Sequence, residues 1–95
     1  MLFEWNDRKD NANQRKHGLS FSDVRSLFDD PRIRSFYDED HSRFGEDRWI
    51  SLGRTALGIV CVVVHTVDES GEEELIRLIS ARVATPNEEL QYYSG

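Results

Sequence analysis

Residues 48–82, RWISLGRTALGIVCVVVHTVDESGEEELIRLISAR, decide the fold. In Arg48–Arg54, Arg48, Ile50, Leu52 and Arg54 alternate with Trp49 and Ser51, the period of a strand with two unlike faces. "TALG" at 55–58 then reads as a hairpin turn. Ile59–Thr66 is apolar on both faces, which predicts a central strand covered on both sides. "VDESGEEE" at 67–74 is an acidic hairpin loop, and Leu75–Arg82 is the next strand. Short hairpins between successive strands mean an antiparallel meander.

Upstream, Arg32–Tyr37 predicts a further strand, and "DEDHSRFGED" at 38–47 a charged loop. Leu2–Trp5 is a short apolar entry and a candidate strand. Asn6 or Asp7 caps a helix running to about His17, with Gly18 supplying the left-handed position beyond its end. Ala12 is the one apolar residue inside that helix, so burial of an apolar stripe does not hold it; Trp5 and Leu19 are its expected anchors. Ser20-x-x-Asp23 is a capping box, followed by Val24, Leu27 and Phe28 at i, i+3 and i+4. This second helix ends before Pro31. Thr85-Pro86-Asn87-Glu88 is another capping box and starts a short last helix carrying Leu90 and Tyr93. The expected architecture is α+β: two N-terminal helices, a four-stranded antiparallel meander and a C-terminal helix.

Ninety-five residues suit one domain spanning 1–95, and 38% hydrophobic against 32% charged residues describe a globular chain with little apolar excess. The net charge is -6, unevenly spread: residues 1–54 hold 10 Lys/Arg and 11 Asp/Glu, residues 55–95 hold 2 and 7. That balance argues against broad non-specific binding of nucleic acid and leaves room for a local basic cleft. Cys61 is alone, which excludes an intramolecular disulfide and a cysteine metal cluster. No signal-peptide pattern opens the chain, and Ile59–Val64 is too short to span a bilayer, so a cytoplasmic protein with no membrane contact is expected.

Trp5, Asn13-x-x-Lys16-His17-Gly18, Phe21, Asp30-Pro31, Gly53-Arg54, "VVVHT" at 62–66, "IRLISARVAT" at 76–85 and Tyr92 run in this order along nearly the whole chain. Together they resemble the BrnT family of toxins from type II toxin–antitoxin pairs, most specifically in "RKHGLSF" and "IRLISAR". The resemblance implies a RelE-like fold and a small endoribonuclease that needs no metal or other cofactor and inhibits translation. It further implies a BrnA-like antitoxin that neutralises the toxin in a two-plus-two heterotetramer and carries the operator-DNA contact. Many relatives have a run of arginines after "ISAR"; here that stretch is "VATPNEELQYY".

Metal-free RNA cleavage needs a base for the 2′-hydroxyl, cations for the crowded phosphorane and an acid for the leaving 5′-oxygen. His17 is the candidate acid or base, although Lys16-His17-Gly18 is also simply a helix stop. Arg54, Arg77 and Arg82 are candidate phosphate clamps. Arg54 otherwise reads as a solvated strand end. Arg77 lies on the strand face of Leu75 and Ile79, where it snorkels, pairs with a carboxylate or lines a cleft; Arg82 lies on the other face with Ser80. Tyr92 offers a phenol or a core ring. Lys9, Asn13 and Lys16, at i, i+4 and i+7, together with Arg48, are candidate RNA-binding residues. His65 reads as a core histidine facing the same way as Cys61 and Val63. His41 stands near Asp38 and Asp40, without any spacing that marks a metal site. The acidic second half favours a second reading of the chain, a weak or inactive nuclease that persists as an antitoxin-binding co-repressor.

Overall fold

The computed structural model describes residues 1–43 and 46–95; Phe44 and Gly45, within the expected charged loop, lie outside the described residues. In chain order the elements are β1 (Leu2–Trp5), α1 (Asp7–His17), α2 (Phe21–Val24), a 3-10 turn (Arg25–Asp29), β2 (Arg34–Tyr37), β3 (Arg48–Arg54), β4 (Val60–Asp68), β5 (Leu75–Val83) and α3 (Pro86–Ser94). The expected meander is present as β2-β3-β4-β5, each pair antiparallel. The sheet is nevertheless five-stranded and mixed, because β1 adds to the edge of β5 in parallel, Leu2 opposite Leu75 and Trp5 opposite Leu78. A four-residue apolar entry shows no partner in sequence; the free edge of β5 supplies it.

The second helix is also shorter than expected. Ser20 caps it by accepting the Asp23 amide at 3.1 Å, but after Val24 the backbone tightens into the 3-10 turn. Val24 and Leu27 are both fully buried there, so the change of helix type keeps the apolar stripe pointed inward.

The turn at 55–58 closes as read. Thr55 accepts the Gly58 amide at 2.9 Å, and Gly58 sits at φ +83°, a conformation that favours glycine.

Two layers cover the sheet. On one face, Phe21, Val24 and Leu27 of the helical layer pack on Cys61, Val63, Ile76, Leu78 and Ala81. On the other, α3 lays Tyr92 over Leu52, Val60, Val62 and Ala84. β4 thus has both faces covered over much of its length, as its unbroken apolar run requires.

One irregularity in β5 decides which of its arginines share a face. His65 pairs with Leu78 but Val64 pairs with Ser80, so Ile79 is an extra residue, a β-bulge in β5. A bulge reverses the alternation of all residues beyond it. In an unbroken strand Arg77 and Arg82 would point to opposite faces. Here they lie opposite Thr66 and Val62, two residues on one face of β4, so both arginines face the α3 layer.

Candidate functional site: an arginine-bounded sheet face

The α3 side of the sheet is an array that can be read from the strand register. One row runs Glu4, Arg77, Thr66, Arg48 across β1, β5, β4 and β3. The next holds Ser80, Val64, Ile50 and Phe36, and the next Arg82, Val62, Leu52 and Arg34. Because α3 packs on Val62, Leu52, Val60 and Ala84, no described helix covers the first two rows, in which Thr66 is buried between Arg77 and Arg48, and Arg82 and Arg34 stand at the margin of α3. Four arginines therefore bound an apolar strip, of which Phe36 is 53% exposed. Sequence reasoning passed over Arg34; its alternation with Phe36 on an exposed edge strand was the available signal.

Each of these guanidinium groups is already engaged. Arg82 donates from Nη1 and Nη2 to the two oxygens of Glu88, at 2.7 and 2.9 Å. That bidentate pair raises the pKa of Arg82, and with the Thr85 amide it pulls Glu88 down to about 2. Glu88 meanwhile keeps its capping-box bond from the Thr85 amide at 2.8 Å, so one carboxylate starts α3 and holds Arg82 beside it. Arg77 reaches Glu4 at 3.7 Å with both side chains about half exposed, a weak ion pair. It also shares a hollow with Glu46, Asp68 and Glu69, which lowers the local positive potential. Arg48 lies 3.7 Å from Glu46, and its buried Nε finds no acceptor among the described residues. Arg34 donates to the Gln91 carbonyl of α3 at 3.2 Å.

The remaining candidates lie elsewhere. α1 docks against the outer edge of β5, and among the described residues no hydrogen bond or ion pair joins His17, Lys9 or Lys16 to Arg48, Arg77 or Arg82. His17 closes α1 in a basic last turn, and Gly18, at φ +71°, donates back to the Gln14 carbonyl at 2.9 Å. Asn13 does not share a solvated face with Lys9 and Lys16. It is buried, its Oδ1 accepting the Ala81 amide and its Nδ2 donating to the Leu19 carbonyl, both at 2.9 Å. The reason lies in the sheet: β1 stops at Trp5 opposite Leu78, leaving the outer edge of β5 unpaired beyond that point, and Asn13 supplies the missing acceptor. Asp10 acts similarly, accepting the Phe21 amide at 2.8 Å. Side-chain bonds, rather than an apolar stripe, dock this polar helix.

Arg54 lies beyond the open rows, at the hairpin end of β3, where its backbone amide donates to Asp30 at 2.8 Å and its exposed guanidinium lies over Gly58. Tyr92 is a pillar of α3: its buried hydroxyl donates to Asp30 at 2.5 Å. Burial, with Asp30 next to it, pushes this phenol up to about 12, so it stays protonated near neutrality. Burial alone would raise the Asp30 carboxyl, but the Tyr92 hydroxyl and the amides of Arg32 and Arg54 outweigh it and hold the pKa below its usual value. Asp30, a hub joining α3, β3 and the turn before Pro31, is visible in sequence only as the residue preceding a proline.

On the helical face, His65 is buried as its strand position predicts. Its Nε2 lies 2.6 Å from Ser51 Oγ, which in turn lies 2.8 Å from Ser35 Oγ, and Phe28 packs edge-on against the ring at 4.9 Å. Burial lowers its pKa to about 4. His41 pairs with Asp38 in the exposed loop, 2.9 Å from Nδ1 to Oδ2. No helix among the described residues is long and apolar enough to cross a membrane.

Comparison with known proteins adds what geometry alone does not. None of the curated proteins matches the chain in sequence. Among solved structures, the crystal structure of the Brucella abortus ribonuclease toxin BrnT is similar at a TM-score of 0.65 and 24% identity, over 90% of this chain and 99% of that one. At that identity the likeness speaks for the fold. The model of BrnT, the ribonuclease toxin of type II toxin–antitoxin systems, matches residues 5–88, so this chain, with its α+β fold and arginine-bounded face, belongs to the BrnT toxin family.

Proposed function

We propose that this chain is an RNA-cleaving toxin whose substrate lies across the open rows beside α3. The reading is supported by family membership and by one structural observation above the others, the bulge at Ile79 that turns Arg77 and Arg82 to the same side as Arg48 and Arg34. Phosphates of a single strand take the place of the carboxylates weakly held by Arg77 and Arg48 and compete with Glu88 for Arg82, while bases rest on Phe36, Ile50 and Val64. Cleavage needs no metal: the 2′-hydroxyl attacks its own phosphate, the 5′-oxygen leaves, and paired guanidinium groups hold the phosphorane charge. A phosphate that captures Arg82 frees Glu88, a carboxylate able to take the 2′-hydroxyl proton. Arginine does not donate a proton at neutral pH, so water protonates the leaving oxygen on this open face. On this reading His17, Lys9, Lys16 and Asn13 build the helical layer, and Tyr92 and Arg54 hold α3 and the hairpin.

The products are a 2′,3′-cyclic phosphate and a 5′-hydroxyl end, the consequence in the cell is arrested translation, and a BrnA-like antitoxin neutralises the toxin in the cytoplasm. The antitoxin carries the operator-DNA contact in a two-plus-two assembly. The test is cleavage of a labelled RNA by the purified chain in EDTA. Arg77→Ala and Arg82→Ala should each lower the rate on the order of 100-fold and relieve growth arrest, without loss of antitoxin binding. A wild-type chain that neither cuts RNA nor arrests growth overturns the proposal. A second reading, the co-repressor without nuclease activity, is favoured by the carboxylates beside Arg82, Arg77 and Arg48; an antitoxin complex without cleavage would select it.

A further inference from the structure

The helical layer stops short of one end of the sheet. Beyond Phe28, no described residue covers the face opposite the arginines where β3 begins and where β4 turns into β5. The result is a groove of about 460 Å³. Phe28, Trp49 and Val67 form its apolar walls, and Asp47, Glu69 and Glu74 line it together with them. Trp49 is itself held in place by an edge-on contact with Tyr37 at 5.3 Å, and the Tyr37 hydroxyl donates to one oxygen of Asp47 at 3.2 Å. The groove thus has a rigid aromatic corner with a carboxylate fastened to it.

Its charge is one-sided. Among the described residues the lining contains three carboxylates and no lysine or arginine, and His65 on the floor, held neutral by burial, adds no positive charge. A polyanion such as RNA or DNA is repelled here. A guanidinium or ammonium group is attracted twice, by the carboxylates and by the indole face of Trp49, while its aliphatic stem and its apolar neighbours cover Phe28 and Val67. Buried area alone would not select an occupant; the combination of aromatic wall and acidic lining does.

We infer that this groove is a docking site for a polypeptide segment of a partner protein, one that presents an arginine or lysine between apolar residues. The site does not rest on the nuclease reading, because its Trp49 and Phe28 walls lie across the sheet from the arginine array; Asp47 and Glu69 form a rim that it shares with the hollow of Arg77. A partner held there leaves the RNA face open.

The experiment is a titration of the full chain, followed by the Trp49 indole N–H resonance, with the tripeptide amides acetyl-Leu-Arg-Leu and acetyl-Leu-Glu-Leu as probes. The arginine peptide should shift that resonance saturably, and the glutamate peptide should leave it in place. The double variant Asp47→Asn, Glu74→Gln should weaken the arginine peptide about tenfold, and Trp49→Leu should abolish the effect on neighbouring amides. Backbone spectra of each variant report whether it keeps its fold; if Trp49→Leu does not, the carboxylate double variant decides alone. Equal response to both peptides, no response to the arginine peptide at millimolar concentration, or unchanged affinity in the double variant would overturn the inference. RNA cleavage by the same samples reports separately on the nuclease proposal.

Discussion

Replacing Asn13 by alanine tests how the helical layer is attached. Asn13 makes two buried hydrogen bonds at 2.9 Å, to the Ala81 amide and the Leu19 carbonyl. Truncation leaves the Ala81 N–H without an acceptor, worth about 1–3 kcal/mol, and removes a donor from Leu19, worth about 1 kcal/mol more. The expected loss is therefore about 2–4 kcal/mol, a fall in Tm of at least about 8 °C for a domain of this size. α1 has no apolar stripe to compensate, since its interior apolar residue, Ala12, is exposed. Urea unfolding followed by circular dichroism gives the free energy, and hydrogen exchange at the Ala81 amide gives the local effect. Asn13→Asp should be no milder, because a carboxylate still accepts from Ala81 but turns an oxygen toward the Leu19 carbonyl. Lys9→Ala and Lys16→Ala, at exposed positions, should each stay within about 0.5 kcal/mol of wild type. If Asn13→Ala falls in that same range, the account of α1 docking is refuted, and a place for Asn13 among RNA contacts returns.

Three further outcomes follow from the same geometry. Gly53→Ala places a methyl 2.8 Å from Leu27 Cγ inside the core, so it should destabilise by about 1–3 kcal/mol in thermal unfolding. Tyr92→Phe removes the hydroxyl from Asp30 and should cost about 1–2 kcal/mol at pH 7 in the same assay. Because the folded-state pKa of Asp30 is depressed, the stability it contributes is present above its unfolded value and is lost as acid protonates it, so the Tyr92→Phe deficit should shrink toward low pH. His65 has a folded pKa of about 4 against 6.5 unfolded, so the unfolded chain binds its proton first. Stability should fall as pH drops from 6.5 toward 4, by about 3 kcal/mol at most; a flat profile for wild type across that window would contradict it, and His65→Gln should flatten the slope.

Local chemistry made much of the architecture legible. Gly18 and Gly58 mark a helix stop and a hairpin turn because both need positive φ. Ser20 and Thr85 cap their helices with hydroxyls that find amides three residues on. The apolar run of β4 and the buried position of His65 follow from a strand covered on both sides. The arginines were legible as residue types suited to phosphate, but their grouping was not. Parity counting puts Arg77 and Arg82 on opposite faces, and a single unpaired residue, Ile79, reverses that count.

What the amino-acid sequence determined by itself is therefore everything governed by neighbours within about four residues: caps, turns, strand periods and the central place of β4. The tertiary structure decided the parallel seat of β1, the inward turn of Asn13, the burial of Tyr92 against Asp30, and which arginines share a face. The physical reason is the same in each case. An unpaired strand edge, a half-buried carboxylate or an extra residue in a ladder takes its partner from a distant segment, and hydrogen-bond satisfaction across that distance is set only when the layers close.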